Sequence, residues 1–190
     1  MQVEKQELTI LFCDLLGSTE MAEDLSLDHF LEVMQSYHQC LYQCITMHYG
    51  YVAQHLGDGI MAYFGYPVKF DSAPVNAVKA GFSLLEQVPV LVRDNLQKFG
   101  IDLSIRISIH TGTVVMVDLG IGDRKERLAL GGPPNISARL QNLAPVNGIV
   151  VSEATYLLTK EQFEYHSLGM HSIKGVSEQM HCYRPLSLKA

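Results

Sequence analysis

Two short segments, each carrying one carboxylate, constrain the fold more than any other part of this chain. The first, LTILFCDLLGSTE over residues 8–20, is an apolar run that reaches Asp14 and then continues into small polar residues. An apolar run closed in this way predicts a buried strand that leads into a helix. The second, QHLGDGIMAYFG over residues 54–65, joins two short runs through Gly-Asp-Gly, which predicts a β-hairpin with Asp58 at its tip.

If the first strand lies beside this hairpin, Asp14 and Asp58 converge at one end of the sheet. Two carboxylates beside a helix N-terminus favour the binding of a divalent cation and a phosphate chain. Ser18 or Thr19 is expected to cap that helix through its hydroxyl group. Taken singly, each carboxylate has an ordinary alternative, because Asp14 is also typical of a turn or helix cap and Asp58 of any hairpin.

The rest of the chain alternates helical and extended patterns, and this order predicts an α+β sheet with helices packed on one face. Within it, residues 103–110 alternate as a half-covered strand, and Thr111-Gly112-Thr113 is expected to turn the chain into a second hairpin. The polar stretch 120–126 is expected to form a loop or protruding arm. His110 is placed at a strand end on the polar face. The remaining expected elements are helices over 27–49, 73–88, 133–143 and 153–158, the hairpin over 51–64, and strands at 149–151, 163–166 and 181–184.

Length and composition indicate one domain over residues 1–190, with its core at about 7–185. The chain has 190 residues, 47% of them hydrophobic, and a formal charge of −6, so it lacks the general basic surface that nucleic acid requires. No apolar run reaches the ~18 residues of a membrane span. The cysteines Cys13, Cys40, Cys44 and Cys182 form no CxxC pair and are expected to be reduced thiols. We therefore expect a soluble, cytoplasmic protein.

Four segments carry a resemblance to a known family. FCDLLGST and LGDGIMAYFG resemble the two metal-binding segments of the class III nucleotidyl cyclase catalytic domain, GGPPNISARL resembles its Asn-x-x-x-Arg helix, and HSIKGV resembles its late lysine segment. They occur in the family's order and span about residues 8–183. The resemblance implies a ferredoxin-like (βαββαβ) core with additional strands in a mainly antiparallel sheet.

The resemblance also implies roles for the first two segments. Asp14 and Asp58 would bind two Mg²⁺ or Mn²⁺ ions, with the backbone carbonyl of Leu15 as a further ligand. The ions would assist deprotonation of a ribose 3′-hydroxyl and would screen a triphosphate. The backbone amides that would hold the β- and γ-phosphates are those of Leu16, Gly17, Ser18 and Thr19.

The later segments would supply the remaining polar groups. Asn135 and Arg139 are four residues apart and so share one face of the predicted helix. In the family the matching asparagine positions the ribose and the matching arginine stabilises the reacting α-phosphate, while Lys174 matches a lysine that contacts the triphosphate. The alternatives are a solvated surface pair for Asn135 and Arg139, and an exposed loop lysine for Lys174.

The positions that would read the purine base depart from the family pattern. Gln54 stands where adenylyl cyclases usually carry lysine, and Leu128 stands where they carry aspartate or threonine. The glutamate and cysteine of guanylyl cyclases are absent as well. Glutamine offers both a donor and an acceptor, so it suits adenine or guanine, whereas leucine can only pack. His55, next to Gln54, is a candidate for the pocket wall or for an ordinary hairpin surface.

The resemblance implies an adenylate cyclase that converts ATP to 3′,5′-cyclic AMP and pyrophosphate. Because the family takes its metal aspartates from one chain and the Asn/Arg pair from the partner, a chain with both sets is expected to form a homodimer with two shared sites. The alternatives are guanylate cyclase activity on GTP and a non-catalytic nucleotide-binding regulatory domain. The related diguanylate cyclase fold fits less well, because LGDGIM lacks the GG(D/E)EF pattern. We also expect that the chain is excised from a larger protein with regulatory domains.

Overall fold

The computed structural model describes residues 4–121 and 124–190, which form one mixed sheet and its covering helices. Within those residues the strands are β1 (Glu4–Leu16), β2 (Tyr51–Leu56), β3 (Gly59–Phe64), β4 (Ser104–Ile121), β5 (Arg124–Leu130), β6 (Gly148–Ser152), β7 (Phe163–Ser172) and β8 (Gln179–Leu188). The helices are α1 (Ser18–Asp24), α2 (Leu27–Met47), α3 (Ala73–Leu91), α4 (Gly132–Leu140) and α5 (Glu153–Thr159).

The strand order of the sheet is β2-β3-β1-β4-β6-β8-β7, and β5 pairs with the far part of β4. Every pair is antiparallel except β4 with β6. Strand β3 lies between β1 and β2, so the chain makes the split βαβ arrangement of a ferredoxin-like core. The predicted fold class is therefore confirmed: an α+β domain built on a mainly antiparallel sheet of eight strands.

The main hydrophobic core lies between one face of the sheet and the helices α2 and α3. Alternation along the central strands directs these buried side chains to that face: Leu11, Cys13 and Leu15 from β1, and Ile105, Ile107 and Ile109 from β4. Helix α4 lies on the other face, because Ser108, which alternates with Ile107 and Ile109, donates a hydrogen bond to the Ser137 carbonyl. The expectation that helices cover one face of the sheet thus holds for the main core. Helix α4 additionally covers part of the other face.

Helix α3 supplies the centre of this core. Together with the turn after it, the stretch Ala73–Asp94 is long and apolar enough to cross a membrane by length and composition alone. Its Ala77, Val78 and Leu84 are fully buried against the sheet and neighbouring helices. One face of α3 therefore packs into the core. The four cysteines are all free thiols, as the sequence predicted.

The predicted turn at Thr111-Gly112-Thr113 is wrong. Strand β4 runs through it without a break, and Gly112 pairs with Leu8 of β1. A Cβ at Gly112 would lie 2.8 Å from Cγ of Pro133, so the glycine permits close packing of α4 rather than a turn.

Two further expectations about β4 also need correction. The stretch 120–126 is not simply a loop, because Ile121 and Arg124 are the paired ends of β4 and β5; residues 122–123 lie outside the described chain. His110 is not at a strand end without a partner. It is buried within β4, and its Nδ1 shares a hydrogen bond of 2.8 Å with Ser152 Oγ.

Candidate active site

Asp14 and Asp58 lie side by side at one end of the sheet, as the two segments predicted. The antiparallel pairing of β1 with β3 continues to Cys13 and Ile60, which leaves Asp14 next to the hairpin tip. Gly59 makes this close approach possible, because a Cβ there would lie only 3.1 Å from Asp14 Oδ1. Both carboxylates are half-buried.

The two carboxylates repel each other in the metal-free chain. Burial raises the pKa of Asp14 above its usual value, and the nearby negative charge of Asp58 raises this pKa further. A hydrogen bond from the Leu15 backbone and the positive charge of Arg106 act in the opposite direction. A site that disfavours its own negative charge is one in which a bound cation is stabilising.

The backbone carbonyl of Leu15 also points toward the hairpin tip. Leu15 is opposite Ile105 in the β1–β4 pairing, but both backbone groups of Ile105 are bonded elsewhere: its N–H donates to Asn147 Oδ1 and its carbonyl accepts from Asn147 N. Because a residue in an antiparallel strand directs both groups to the same side, Leu15 faces away from β4. Its carbonyl is therefore directed to the side that carries Asp58.

Residues 17–19, at the start of α1, complete this end of the site. The hydrogen bond that holds them is not the helix cap that the sequence predicted. Neither Ser18 nor Thr19 caps the helix through its side chain; Gly17 occupies the N-cap position with a φ of 75°. Ser18 Oγ instead donates a hydrogen bond to Asp58 Oδ2. The hydroxyl thus joins the first turn of α1 to the hairpin tip, and a cleft of about 670 Å³ lined by Ser18, Thr19 and Asp58 opens beside it.

Arg106 is a site residue that the sequence pattern did not single out. It is directly opposite Asp14 in the β1–β4 pairing, and its buried Nε has no hydrogen-bond partner within the described residues. The alternating pattern of residues 103–110 predicted that Arg106 lies on the polar face of β4, and this pattern could have identified it from the sequence. The structure adds that this face carries Asp14, so a cation of the protein lies beside the carboxylate pair.

The donor set fits a magnesium-type ion bound together with a phosphate. Across residues 4–121 and 124–190, no group of three or more His, Cys, Asp or Glu side chains forms a metal cluster. The site offers two carboxylates and one backbone carbonyl, all of them oxygen ligands. Mg²⁺ is usually bound in this way, through one or two carboxylates with water and substrate phosphates completing its shell.

A second group of predicted residues meets where α4 covers the sheet, on the face that also carries Asp14 and Arg106. Gln54, Leu128 and Asn135 line one small cavity of about 190 Å³, together with Phe12, Met61, Tyr63 and residues of α4. They come from β2, β5 and α4, which are far apart in sequence. The hydroxyl oxygen of Tyr63 already accepts a hydrogen bond of 3.2 Å from Ala129 N. Gln54 and Asn135 contribute the side-chain amides of this lining, and Asn135 Nδ2 already donates a hydrogen bond of 3.3 Å to the Gly131 carbonyl.

Arg139 and Lys174 also come together, through the backbone of the lysine. One Nη of Arg139 donates a hydrogen bond to the Lys174 carbonyl. Gly175 allows this contact, because its φ is 78° and a Cβ there would collide with the guanidinium. The Lys174 side chain is exposed. The structure thus places Arg139 beside the Lys174 backbone and one helical turn from Asn135, and the lining of the cleft that holds Asp58 includes none of these three.

His55 belongs to neither group of residues. Its Nδ1 shares a hydrogen bond of 3.0 Å with Nδ1 of His38 on α2, and the two rings are stacked. This pair fastens the hairpin to α2 near its tip. The pKa of His38 is lowered, first by burial and then by His55, while the charge of Asp58 opposes the shift.

Comparison with known sequences agrees with this arrangement. The sequence model of the adenylate and guanylate cyclase catalytic domain matches residues 1–185. An adenylate cyclase of Anabaena cylindrica is 27% identical over 188 residues, which cover 94% of this chain and 36% of that protein. Adenylate cyclase 1 of Rhizobium meliloti (strain 1021) is 24% identical over 181 residues, which cover 94% of this chain and 27% of that protein. The chain thus spans only about a third of such relatives.

Solved structures give the same result for the fold. The adenylyl cyclase CyaB from P. aeruginosa superposes with a TM-score of 0.93 at 26% identity, covering 98% of this chain and 97% of that one. The guanylyl cyclase Cya2 gives a TM-score of 0.88 at 26% identity, covering 100% and 96%. A guanylate cyclase domain from Catenaria anguillulae in complex with GTP shares the fold, with a TM-score of 0.88 at 20% identity. Adenylyl and guanylyl cyclases thus both occur among the structural neighbours.

Proposed function

Because this chain belongs to the family of adenylate and guanylate cyclase catalytic domains, we propose that it is an adenylate cyclase that converts ATP to 3′,5′-cyclic AMP and pyrophosphate. The single observation that supports this most is the pair of half-buried carboxylates, with Asp14 opposite Arg106 and Asp58 bonded to Ser18. In the reaction the ribose 3′-oxygen attacks the α-phosphorus, the bond to the bridging oxygen breaks, and pyrophosphate leaves. The 3′-hydroxyl proton passes to solvent.

Asp14, Asp58 and the Leu15 carbonyl are the groups that would hold two Mg²⁺ or Mn²⁺ ions. When bound, these ions supply activation of the 3′-hydroxyl and screening of the triphosphate charge. The backbone amides of residues 16–19 lie at the start of α1, next to the contact of Ser18 with Asp58, and would bind the β- and γ-phosphates. Arg106, with its Nε unpaired among the described residues, adds a positive charge for the same phosphates.

The second group of residues would orient the other end of the nucleotide. Asn135 would hold the ribose, and the Arg139 guanidinium would stabilise the charge that develops on the α-phosphate. Lys174 would contact the triphosphate. Gln54 and Leu128 line the cavity for the base, where Gln54 supplies the hydrogen bonds and Leu128 only packs.

We propose further that one site uses the first group from one chain and the second group from its partner, so that a homodimer has two sites. The arrangement within one chain supports this, because Asp58 lines one cleft and Asn135 lines another. It follows that activity depends on protein concentration, since a monomer has no complete site. The relatives are longer than this chain, and we propose that it acts as the catalytic domain of a larger cytoplasmic protein with regulatory domains.

Product formation by the purified chain tests this proposal. ATP and GTP are supplied separately, with Mn²⁺ or Mg²⁺, over a range of protein concentrations, and Asp58→Ala is the inactive control. Cyclic AMP whose specific rate rises with protein concentration is the expected result. Cyclic GMP would keep the mechanism and replace the substrate, which Gln54 permits. Metal-dependent nucleotide binding without product, in a concentrated and verified dimer, would instead indicate a regulatory domain.

A further inference from the structure

Helix α4 is fastened to the sheet by one buried serine. Ser137 is fully buried, and its Oγ donates a hydrogen bond of 3.0 Å to the Ile10 carbonyl of β1. Its own backbone carbonyl accepts a hydrogen bond of 2.6 Å from Ser108 Oγ of β4, which is also fully buried. Ser137 therefore joins α4 to both central strands of the sheet through directional contacts.

The strands that hold Ser137 are those that carry the charged groups of the first site. Ile10 lies four residues before Asp14 on β1, and Ser108 lies two residues after Arg106 on β4. Ser137 is also central in α4, midway between Asn135 and Arg139. Successive helical residues are rotated by about 100°, so residues two before and two after Ser137 point away from the face that it presents to the sheet. The distance between Ser137 and the sheet thus determines the positions of Asn135 and Arg139 on the opposite face of α4.

At the end of α4, Gln141 Nε2 donates a hydrogen bond of 3.2 Å to the Arg106 carbonyl of β4, and the neighbouring contacts of the helix with the sheet are apolar packing. Pro133 packs closely on Gly112, and Leu140 is buried in a small cluster with Val150 and Ile173. Apolar packing is not directional, so it permits small shifts of a helix along its groove. A hydrogen bond at 3.0 Å fixes both distance and angle. The serine is therefore the contact that specifies the register of α4 on β1.

We propose that Ser137 is a positioning residue that places Asn135 and Arg139 of one chain against the carboxylates of the partner chain. This inference rests on the proposed function, because it concerns the shared site. Loss of the hydroxyl removes the hydrogen bond to β1 and leaves α4 held to β4 through Ser108, so the helix can shift relative to β1. A misplacement of order 1 Å at a reacting centre lowers the rate by about tenfold or more, while nucleotide binding changes much less.

A mixed dimer of two inactive chains tests this directly. In a dimer of an Asp14→Ala chain with an Arg139→Ala chain, the one intact site takes its carboxylates from the second chain and its α4 from the first. Ser137→Ala is then placed on either chain, and kcat and KM for ATP are measured in dimers purified through two different tags. On the Asp14→Ala chain it affects the α4 in use, whereas on the Arg139→Ala chain it affects an α4 that serves the dead site.

We expect kcat to fall about tenfold when Ser137→Ala is on the Asp14→Ala chain, with KM within about twofold, and to change less than about twofold in the other placement. An equal fall in both placements, or no fall in either, would overturn the inference. Ser108→Ala, which removes the second contact without altering α4, should show the same asymmetry if Ser137→Ala fails to fold. Ser152→Ala removes another fully buried hydroxyl, whose hydrogen bonds go to His110 and Thr155 rather than to α4, and should show no asymmetry. An inactive mixed dimer without any serine change would contradict the shared site itself.

Discussion

Ser18 Oγ donates a hydrogen bond to Asp58 Oδ2, which joins the first turn of α1 to the tip of the β2–β3 hairpin across 40 residues of sequence. This contact fixes the orientation of one of the two carboxylates, while Gly59 lets the other, Asp14, approach the hairpin closely. The proposed cation site is thus supported from two separate elements, and each support can be tested alone.

Ser18→Ala is expected to weaken cation binding without unfolding the chain. Loss of a partner that orients a metal ligand typically costs about tenfold or more in metal affinity. The Mn²⁺ concentration that gives half-maximal activity should therefore rise about tenfold, while the melting temperature changes little. Ser36→Ala on α2 is the matched control, and it should leave the Mn²⁺ dependence unchanged. An unaltered Mn²⁺ dependence in Ser18→Ala would show that the hydroxyl does not support the site.

Asp14→Asn is expected to stabilise the metal-free chain at neutral pH. The pKa of Asp14 is raised in the folded chain by burial and by Asp58, so its charged form costs folding free energy. This cost is present at neutral pH and disappears as the pH falls below the unfolded value, where the carboxyl is protonated in both states. Melting curves in EDTA should thus show a higher melting temperature for Asp14→Asn at pH 7.5 and a smaller gain near pH 4.

Excess Mn²⁺ should reverse the order of stability, because it binds the native carboxylate pair and not the amide. Asp102→Asn, at an exposed position, is the control and should show neither effect. A lower melting temperature for Asp14→Asn in EDTA at pH 7.5 would contradict the account of the repelling pair.

Gly175→Ala is expected to lower activity by displacing the Arg139 guanidinium. Gly175 and Gly169 have similar backbone angles, with φ of 78° and 82°, so alanine at either position should cost about 1 kcal/mol of folding free energy. Only Gly175 has the guanidinium where a Cβ would be, whereas nothing lies within 4 Å of that position at Gly169. We expect kcat to fall about tenfold in Gly175→Ala alone. Equal activities of the two variants would argue against a role for this contact.

His110 is expected to make the fold sensitive to acid. Burial lowers its pKa from 6.5 to about 4, so the folded chain holds this proton less tightly than the unfolded chain does. The stability that this neutral histidine contributes is present above pH 6.5 and is lost as the pH falls toward 4, by roughly 3 kcal/mol at most. Urea unfolding of His110→Gln should show a shallower decline over that range. A decline as steep as that of the unchanged chain would exclude His110 as its cause.

The sequence predicted the part of the site that forms when the first strand pairs with the hairpin. Asp14 and Asp58 each follow from a local strand or turn pattern, and their meeting requires only that the strand and hairpin pair. The roles of the individual residues remain predictions. Glycine was an ambiguous signal: Gly57 and Gly59 marked a real hairpin, whereas Gly112 was interpreted as a turn although it lies within β4 against Pro133. The neighbouring residues do not show whether a glycine permits close packing or a turn.

Contacts between distant elements were beyond the reach of local patterns. The partnership of Ser18 with Asp58 competes with helix capping by the same hydroxyl, and only the tertiary fold decides between them. Arg106 was visible as one polar residue of an alternating strand, but its position opposite Asp14 depends on the register of β1 on β4. From the sequence alone Ser137 is an ordinary serine in a helix, because its contact with β1 depends on where α4 packs on the sheet.

The shared site is the central claim, and activity in the mixture of Asp14→Ala and Arg139→Ala chains tests it most directly. Each variant alone should form no cyclic nucleotide, because every dimer then lacks the same group in both sites. Dimers that carry one chain of each kind should recover activity through one intact site. No product from a purified mixed dimer, under conditions where the unchanged chain is active, would contradict a site assembled from two chains.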